Sequence, residues 1–207
     1  RSDVISNGRH SIVSFSSNIV DDALRRDFTM NALYMTIEGD ILDPIGGWED
    51  LINGRVRFIG EPQKRIQEDY LRVLRYFRFL AIYNDDKMPV NYNCIKACTD
   101  AIPKLKMLSY DRVWEELKRI LSVRNPYFVL QVMLKSGVLQ AILPFANLEN
   151  FIRFQQTEEK FDFEFKEINR LAALNIFYVR LWVNKFPLTK LQRGWLNQLL
   201  INLKDPS

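Results

Sequence analysis

Two short strings hold residue types that could do chemistry together. In Arg25–Arg26–Asp27–Phe28–Thr29–Met30–Asn31–Ala32, two guanidiniums, a carboxylate and an amide fall within a few residues. Arginine forks match phosphate oxygens, and a carboxylate or amide can bridge a sugar hydroxyl, so this set could serve a triphosphate and a ribose. A capped surface helix would account for the same composition. The second string is Glu68–Asp69–Tyr70–Leu71–Arg72, continued by Arg75 and Arg78. At about 100° per residue from Arg65, one sector collects Glu68, Asp69, Arg72 and Arg75, and the opposite one Ile66, Tyr70, Val73, Leu74, Phe77, Leu80 and Ala81. A helix buried along the apolar face would present two carboxylates and three or four guanidiniums on the other. A solvated face knitted by pairs such as Asp69–Arg72 and Glu68–Arg72 also explains the pattern.

The elements that position these strings follow from local signals. The alternation at Ile12–Phe15 predicts a short strand, preceded by a turn at Asn7–Gly8. Asp21 or Asp22 can cap a helix opening on Ala23 and running to about Asn31. Tyr34–Ile37 and Ile41–Asp43 flank Glu38–Gly39–Asp40 as a hairpin, and Pro44 with Gly46–Gly47 interrupts regular structure before Trp48–Leu51. Val56–Ile59 reads as a further short strand, stopped by Gly60 and Pro62. Beyond it the pattern is helical: about Lys64–Tyr83, Asn91–Ala101 ended by Pro103, and Tyr110–Leu121 capped by Ser109. Phe128–Lys135 is closed by Gly137, and Leu139–Leu143 is stopped by Pro144. Phe163–Trp182 and Thr189–Leu203 complete the helices. The fold class is therefore α+β, a small mixed portion ending near residue 60 and then an all-helical one. With at most four short strands, the first portion reads as an incomplete sheet.

Composition narrows the function classes. The 207 residues can bury a real core, and no apolar run approaches the roughly 20 residues of a membrane span. No signal peptide opens the sequence, and Cys94 and Cys98, four apart in a helix, read as reduced thiols, which points to the cytoplasm. With one His in the chain, those two thiols do not complete a zinc site. The net charge is +4, and residues 55–78 alone hold seven basic side chains against three acidic ones. That strip fits a phosphate-bearing partner, nucleotide or nucleic acid.

The first string resembles the RRDFTxNA motif of the class II tRNA nucleotidyltransferase and bacterial poly(A) polymerase family. Three more motifs follow in the family's order. Asp43–Pro44–Ile45–Gly46–Gly47–Trp48–Glu49–Asp50–Leu51 resembles its DxxGGxxDL hinge, and Glu68–Asp69–Tyr70–Leu71–Arg72–Val73–Leu74–Arg75 its EDxxRxxR motif. Leu108–Ser109–Tyr110–Asp111–Arg112–Val113–Trp114–Glu115–Glu116–Leu117 is similar to its LSxERxxxEL helix, with Asp111 for the usual Glu. Tyr70 stands where the family commonly has Pro.

The resemblance implies a division into the C-terminal part of a nucleotidyltransferase head (1–60), a helical neck (61–125) and a partial helical body (126–207). It implies that Arg25, Arg26, Asp27 and Asn31 contact the ribose and triphosphate, and that Gly46 and Gly47 let the head pivot. It makes Asp69 and Arg72 an amino-acid template for the base of CTP or ATP, with Arg75 and Arg78 near the phosphates. Cytosine and adenine each present an amino donor beside a ring-nitrogen acceptor, the complement of a carboxylate plus a guanidinium. The family also uses Mg²⁺ held by an Asp-x-Asp pair after a Gly-Gly loop. This sequence has no Gly-Gly loop followed by an Asp-x-Asp pair, so no catalytic and no metal-binding residue is assigned. The implied partners are ATP, CTP and a tRNA or other RNA 3′ end, with a separate chain able to supply the metal-binding carboxylates. CCA addition is the expected function. Poly(A) addition, and a nucleotide- or RNA-binding remnant without turnover, stay open.

Overall fold

Short-range turn chemistry shapes the first portion. The computed structural model describes residues 2–6, 11–14, 18–84, 89–158, 166–174 and 185–202. Strands β1 (Ser2–Ser6) and β2 (Ser11–Ser14) pair antiparallel, Ser2 opposite Ser14, with an irregularity between Asp3 and Ser6. The expected Asn7–Gly8 turn lies outside the described residues. Helix α1 (Ile19–Leu24) is capped by Asn18, whose side chain accepts from the Val20 N–H, rather than by Asp21 or Asp22. Strands β3 (Tyr34–Met35) and β4 (Ile41–Leu42) form the expected second hairpin around Gly39. A short helix, α2 (Trp48–Ile52), follows the two glycines.

The helix expected to run to Asn31 ends at Leu24. Phe28 is extended and bridges antiparallel to Phe58, after which Thr29–Asn31 makes a single 3₁₀ turn. The chain leaves the helix to bury Phe28 completely, between the rings of Phe58 and Phe79 at 4.9 and 4.7 Å. The expected Val56–Ile59 strand contracts to that bridge. It is flanked by Thr29 N–H to Arg57 O and Ile59 N–H to Asp27 O, both 3.0 Å.

The expected single helix over Lys64–Tyr83 is two helices, α3 (Pro62–Glu68) and α4 (Arg72–Tyr83). Asp69 between them is extended, at φ −156° and ψ 110°. Helix α5 (Tyr92–Asp100) starts from the Asn91 cap. Pro103, expected as a stop, instead lies in the first turn of α6 (Ile102–Leu105), where the N–H it lacks has no intrahelical acceptor to lose. Ser109 caps α7 (Tyr110–Ser122) through the Arg112 N–H. Helices α8 (Tyr127–Lys135) and α9 (Val138–Ile142) meet at Gly137, whose φ is +79°. Then come α10 (Leu148–Glu158), for which the sequence raised no expectation, α11 (Lys166–Leu174) and α12 (Lys190–Asn202). Of the helix expected over Phe163–Trp182, only Lys166–Leu174 lies among the described residues.

One apolar core runs through both portions. Phe28, Met30, Val56 and Phe58 join the buried faces of α4, α7 and α8, so the core continues across residue 60. Arg170 is fully buried: its guanidinium donates to the carbonyls of Leu121, Val123 and Arg124 at the end of α7 and just after it, and pairs with Glu158. Cys94 and Cys98 are buried free thiols, and burial pushes both upward from the ordinary thiol range. Among the described residues no helix is long and apolar enough to cross a membrane.

Candidate nucleotide-binding site

The break between α3 and α4 creates the site. An extended backbone at Asp69 turns its carboxylate back over the start of α4, where Oδ1 accepts the Leu71 N–H at 3.0 Å and the backbone carbonyl accepts the Arg72 N–H. Asp69 thus supplies partners for N–H groups of a helix start that has no acceptor of its own. Its Oδ2 accepts from Arg112 Nη2 at 2.7 Å. Arg72, the first residue of α4, donates to Glu68 and to the Arg65 carbonyl.

Opposite this break stands the turn that follows α1. Arg26 donates to the Asn31 carbonyl at 2.7 Å, pairs with Asp22 at 3.0 Å and lies over the Tyr34 ring at 4.6 Å. Arg25 pairs with the same carboxylate. The Tyr34 hydroxyl, followed by Arg25, holds the Asp22 carboxyl well below the usual range. Asp27, 5% exposed, receives Arg75 on Oδ2, and Asn31 Nδ2 (2.9 Å) and its own neighbour's N–H on Oδ1. Burial pushes this carboxyl upward, but the Arg75 and Asn31 hydrogen bonds outweigh it and the group ends below its ordinary value.

The turn is fixed from beneath by the glycine-containing string. The Asp43 carboxylate accepts the N–H groups of Gly47 and Trp48 at 2.8 and 2.9 Å, at the start of α2. These contacts, outweighing burial, lower its titration. Asp50, 1% exposed, accepts from Thr29 Oγ1 at 2.5 Å and Arg57 Nε at 2.8 Å. Gly46 has φ +75° in open space, whereas a Cβ on Gly47 would stand 2.1 Å from the Thr29 carbonyl oxygen. Both glycines are accounted for by a fixed turn and a close approach, and neither observation requires a pivot.

These segments enclose an open cleft of about 350 Å³. Seven of the eight residues expected to bind nucleotide line it: Arg25, Arg26, Asp27 and Asn31 from one side, Asp69, Arg72 and Arg75 from the other. Arg78, expected near the phosphates, does not. It is 8% exposed and lies 2.8 Å from Glu116 of α7, off the line of a hydrogen bond, so the contact is an ion pair alone. Burial lowers Arg78 and raises Glu116, with Arg78 and then Arg75 pulling Glu116 partly back. Conversely, Arg112 lines the cleft although the sequence assigned it no role. The signal was the i, i+4 spacing of Arg112 and Glu116 beside the buried stripe Val113, Leu117, Ile120 and Leu121, which turns both charges toward α4. Five arginines and two aspartates give the cleft a net charge of +3. Such a cleft can hold an anion against its arginines and a planar polar ring against the Asp69–Arg72 edge.

The residues present do not fit the Mg²⁺ that the family resemblance implies. Asp27 and Asp69 are engaged by Arg75 and Arg112, and the described residues contain no cluster of three His, Cys, Asp or Glu side chains placed to hold a metal.

Comparison with known proteins agrees with the geometry. Residues 1–57 match the family model described as the poly A polymerase head domain, and residues 88–149 that described as the probable RNA and SrmB-binding site of polymerase A. The mouse protein named CCA tRNA nucleotidyltransferase 1, mitochondrial, is 38% identical over 176 residues, covering 84% of this chain and 40% of the relative. The crystal structure of the Bacillus stearothermophilus CCA-adding enzyme in complex with CTP superposes with a TM-score of 0.77 at 25% identity, over 94% of this chain and 49% of that one. The Thermotoga maritima CCA-adding enzyme complexed with tRNA shares the fold, with a TM-score of 0.68 at 22% identity over 89% of this chain and 48% of that one. The sequence spans about 40% of the length of the mouse relative. With three of its four motif segments lining one cleft and the fourth packed against the turn that carries Thr29, the chain belongs to the class II tRNA nucleotidyltransferase and bacterial poly(A) polymerase family.

Proposed function

We propose that this chain is the nucleotide-selecting portion of a template-independent nucleotidyltransferase that adds C and A residues to tRNA 3′ ends. The observation that carries the reading is the cleft into which two separate strings bring seven of the expected residues, with Arg112 added from a third. In it the triphosphate lies against Arg25 and Arg26, whose forks match phosphate oxygens. Asn31 and Asp27 are placed for the ribose. Asp69 Oδ2 keeps a lone pair beside the one given to Arg112, and accepts the exocyclic amino group of cytosine or adenine. Arg72 donates to the neighbouring ring nitrogen. Guanine and uracil present a carbonyl to Asp69 and an N–H to Arg72, and leave both protein groups unpaired.

The names of the relatives favour CCA addition, since the mouse, Bacillus and Thermotoga proteins are all CCA-adding enzymes. Mg²⁺ would be held by carboxylates outside the described residues, in the same protein or a separate chain. When bound it supplies the charge neutralisation that phosphoryl transfer needs. The residues here orient the nucleotide for that step. The partners are ATP, CTP and tRNA. The buried thiols suit a reducing compartment, the cytoplasm or, as the mouse relative's name has it, the mitochondrion.

Equilibrium titration with the four nucleoside triphosphates tests the reading. CTP and ATP should bind more tightly than UTP and GTP by about tenfold, the worth of one good two-point contact to a base. Asp69→Ala should bring all four close to the weaker value while keeping triphosphate affinity. Equal affinities in the unaltered chain would refute base reading. Incubation with tRNA lacking its 3′ end, Mg²⁺, CTP and ATP, together with the metal-binding part of the protein, tests turnover, and no extension would refute the assigned reaction.

A further inference from the structure

Arg65 lies in the last turn of α3 and does not line the cleft, yet its side chain touches one half of it directly and reaches the other through Glu68. Its Nη2 donates to the carbonyls of Arg25, at 2.6 Å, and of Arg26, forty and thirty-nine residues away in sequence. Its Nη1 lies 2.6 Å from each carboxylate oxygen of Glu68. Glu68 passes the contact on to Arg72 Nη1, which also donates to the carbonyl of Arg65 itself at 2.8 Å. The Arg65 side chain is only 12% exposed, so it is held in one orientation by these partners rather than dispersed in solvent.

The two carbonyls belong to the arginines that face the triphosphate, and the far end of the chain of contacts is the arginine that faces the base. A guanidinium suits this position because its planar fork can serve two successive carbonyls with one nitrogen and a carboxylate with another. A lysine ammonium has the charge without that fixed geometry.

We propose that Arg65 is a positioning residue for nucleotide selection, fixing the separation between the triphosphate-binding turn and the base-reading Arg72 through Glu68. The inference rests on the base-reading role proposed above. With the separation fixed, a nucleotide seated by its phosphates presents its base to Asp69 and Arg72 at one depth only. Without Arg65 the carbonyls of Arg25 and Arg26 lose their link to Glu68 and Arg72, and only the Asp27–Arg75 contact and the packing of Phe28 still tie the turn to α4. The cleft keeps all five lining arginines, so phosphate attraction survives while the register of the base does not.

The test is titration of the purified chain with CTP, ATP, UTP and GTP at fixed ionic strength, for the unaltered protein, Arg65→Ala, Arg65→Lys and Glu68→Gln. Thermal melting is recorded for each. The expected result is that Arg65→Ala narrows an about tenfold preference for CTP and ATP to within about twofold, chiefly by losing affinity for those two. Arg65→Lys should fall between. Glu68→Gln, which leaves the carbonyl contacts and weakens only the link to Arg72, should narrow the same ratio, and it decides the matter if Arg65→Ala does not fold. A merely structural staple would weaken all four nucleotides by one factor and keep their ratio, and that result overturns the proposal while leaving base reading intact. Equal affinities in the unaltered chain would overturn both.

Discussion

Replacing Gly47 by Ala should damage the protein far more than replacing Gly46, although the two are adjacent. A Cβ at Gly47 would stand 2.1 Å from the Thr29 carbonyl oxygen and 2.6 Å from its carbon, and both atoms are backbone. Relief requires the 3₁₀ turn to retreat by about 1 Å, since non-bonded carbon and oxygen need over 3 Å. That turn is not free to move. Thr29 donates from N to Arg57 O at 3.0 Å and from Oγ1 to Asp50 at 2.5 Å, and its carbonyl accepts the Ala32 N–H at 3.0 Å. Overpacking of this kind costs about 1–3 kcal/mol and a broken buried hydrogen bond about 1 more, so the loss should be about 2–4 kcal/mol. At Gly46 a Cβ meets open space, and only the positive φ of +75° is penalised, at about 1 kcal/mol. Urea denaturation followed by circular dichroism separates the two values. Because Asn31 rides on the displaced turn, Gly47→Ala should also weaken nucleotide binding, and Gly46→Ala should not. If the pair acts as a pivot instead, both variants should keep their stability and lose turnover together. Equal and small stability losses would therefore refute the close-packing argument.

Other consequences follow from the buried charges. Asp27 titrates below its ordinary value in the fold, so its ionised form stabilises the protein above about pH 4 and the benefit vanishes as pH falls through the depressed value. Asp27→Asn should cost about 2 kcal/mol at pH 7, and the gap in melting temperature from the unaltered chain should narrow as the pH falls below about 4; a gap independent of pH refutes the pairing with Arg75. For the Arg78–Glu116 pair, burial raises the glutamate and lowers the arginine, so each charge is held at a cost. Arg78→Met or Glu116→Leu alone should lose about 3 kcal/mol by stranding the partner, and the double variant should recover most of it; urea midpoints that fall additively would show that the two groups are not coupled.

Much of this site was legible in the sequence, and what was not has a common cause. A cap and a stop were read well at Ser109 and Gly137, because a side chain or a glycine there acts on N–H groups or dihedrals within a few residues. The hairpin at Gly39 was equally local. The break at Asp69 was invisible, since Lys64–Tyr83 keeps an unbroken helical period. What ends α3 there comes from afar: Arg112 holds the Asp69 carboxylate across forty-three residues, and Arg65 reaches back forty to the Arg25 carbonyl. Arg78 was misplaced for a related reason. Helical phase puts it at the edge of the charged face, but only the packing of α4 against α7 shows that Glu116 waits on that side. The same tertiary pull explains Phe28, a residue compatible with helix that is buried by leaving it.

Of the two pairs that a self-satisfied charged face would hold, Glu68–Arg72 forms and Asp69–Arg72 does not, because Asp69 pairs with Arg112. In one continuous helix, Asp69 and Arg72 at i, i+3 would be neighbours of opposite charge and would satisfy each other. A pair so closed has nothing to offer a base. Reading a base requires an acceptor and a donor side by side, each held by some third group. The extended residue at the break brings this about. Asp69 turns to the Leu71 N–H and to Arg112, while Arg72 turns to Glu68 and the Arg65 carbonyl. Every one of these anchors lies outside the Asp69–Arg72 pair, and each leaves spare capacity. A carboxylate has about four lone-pair sites, of which Asp69 has given two, and a guanidinium has five N–H donors, of which Arg72 uses only those on Nη1. The anchors therefore orient the two groups without exhausting them, which is what the proposed base reading requires with Arg112 and Glu68 in place.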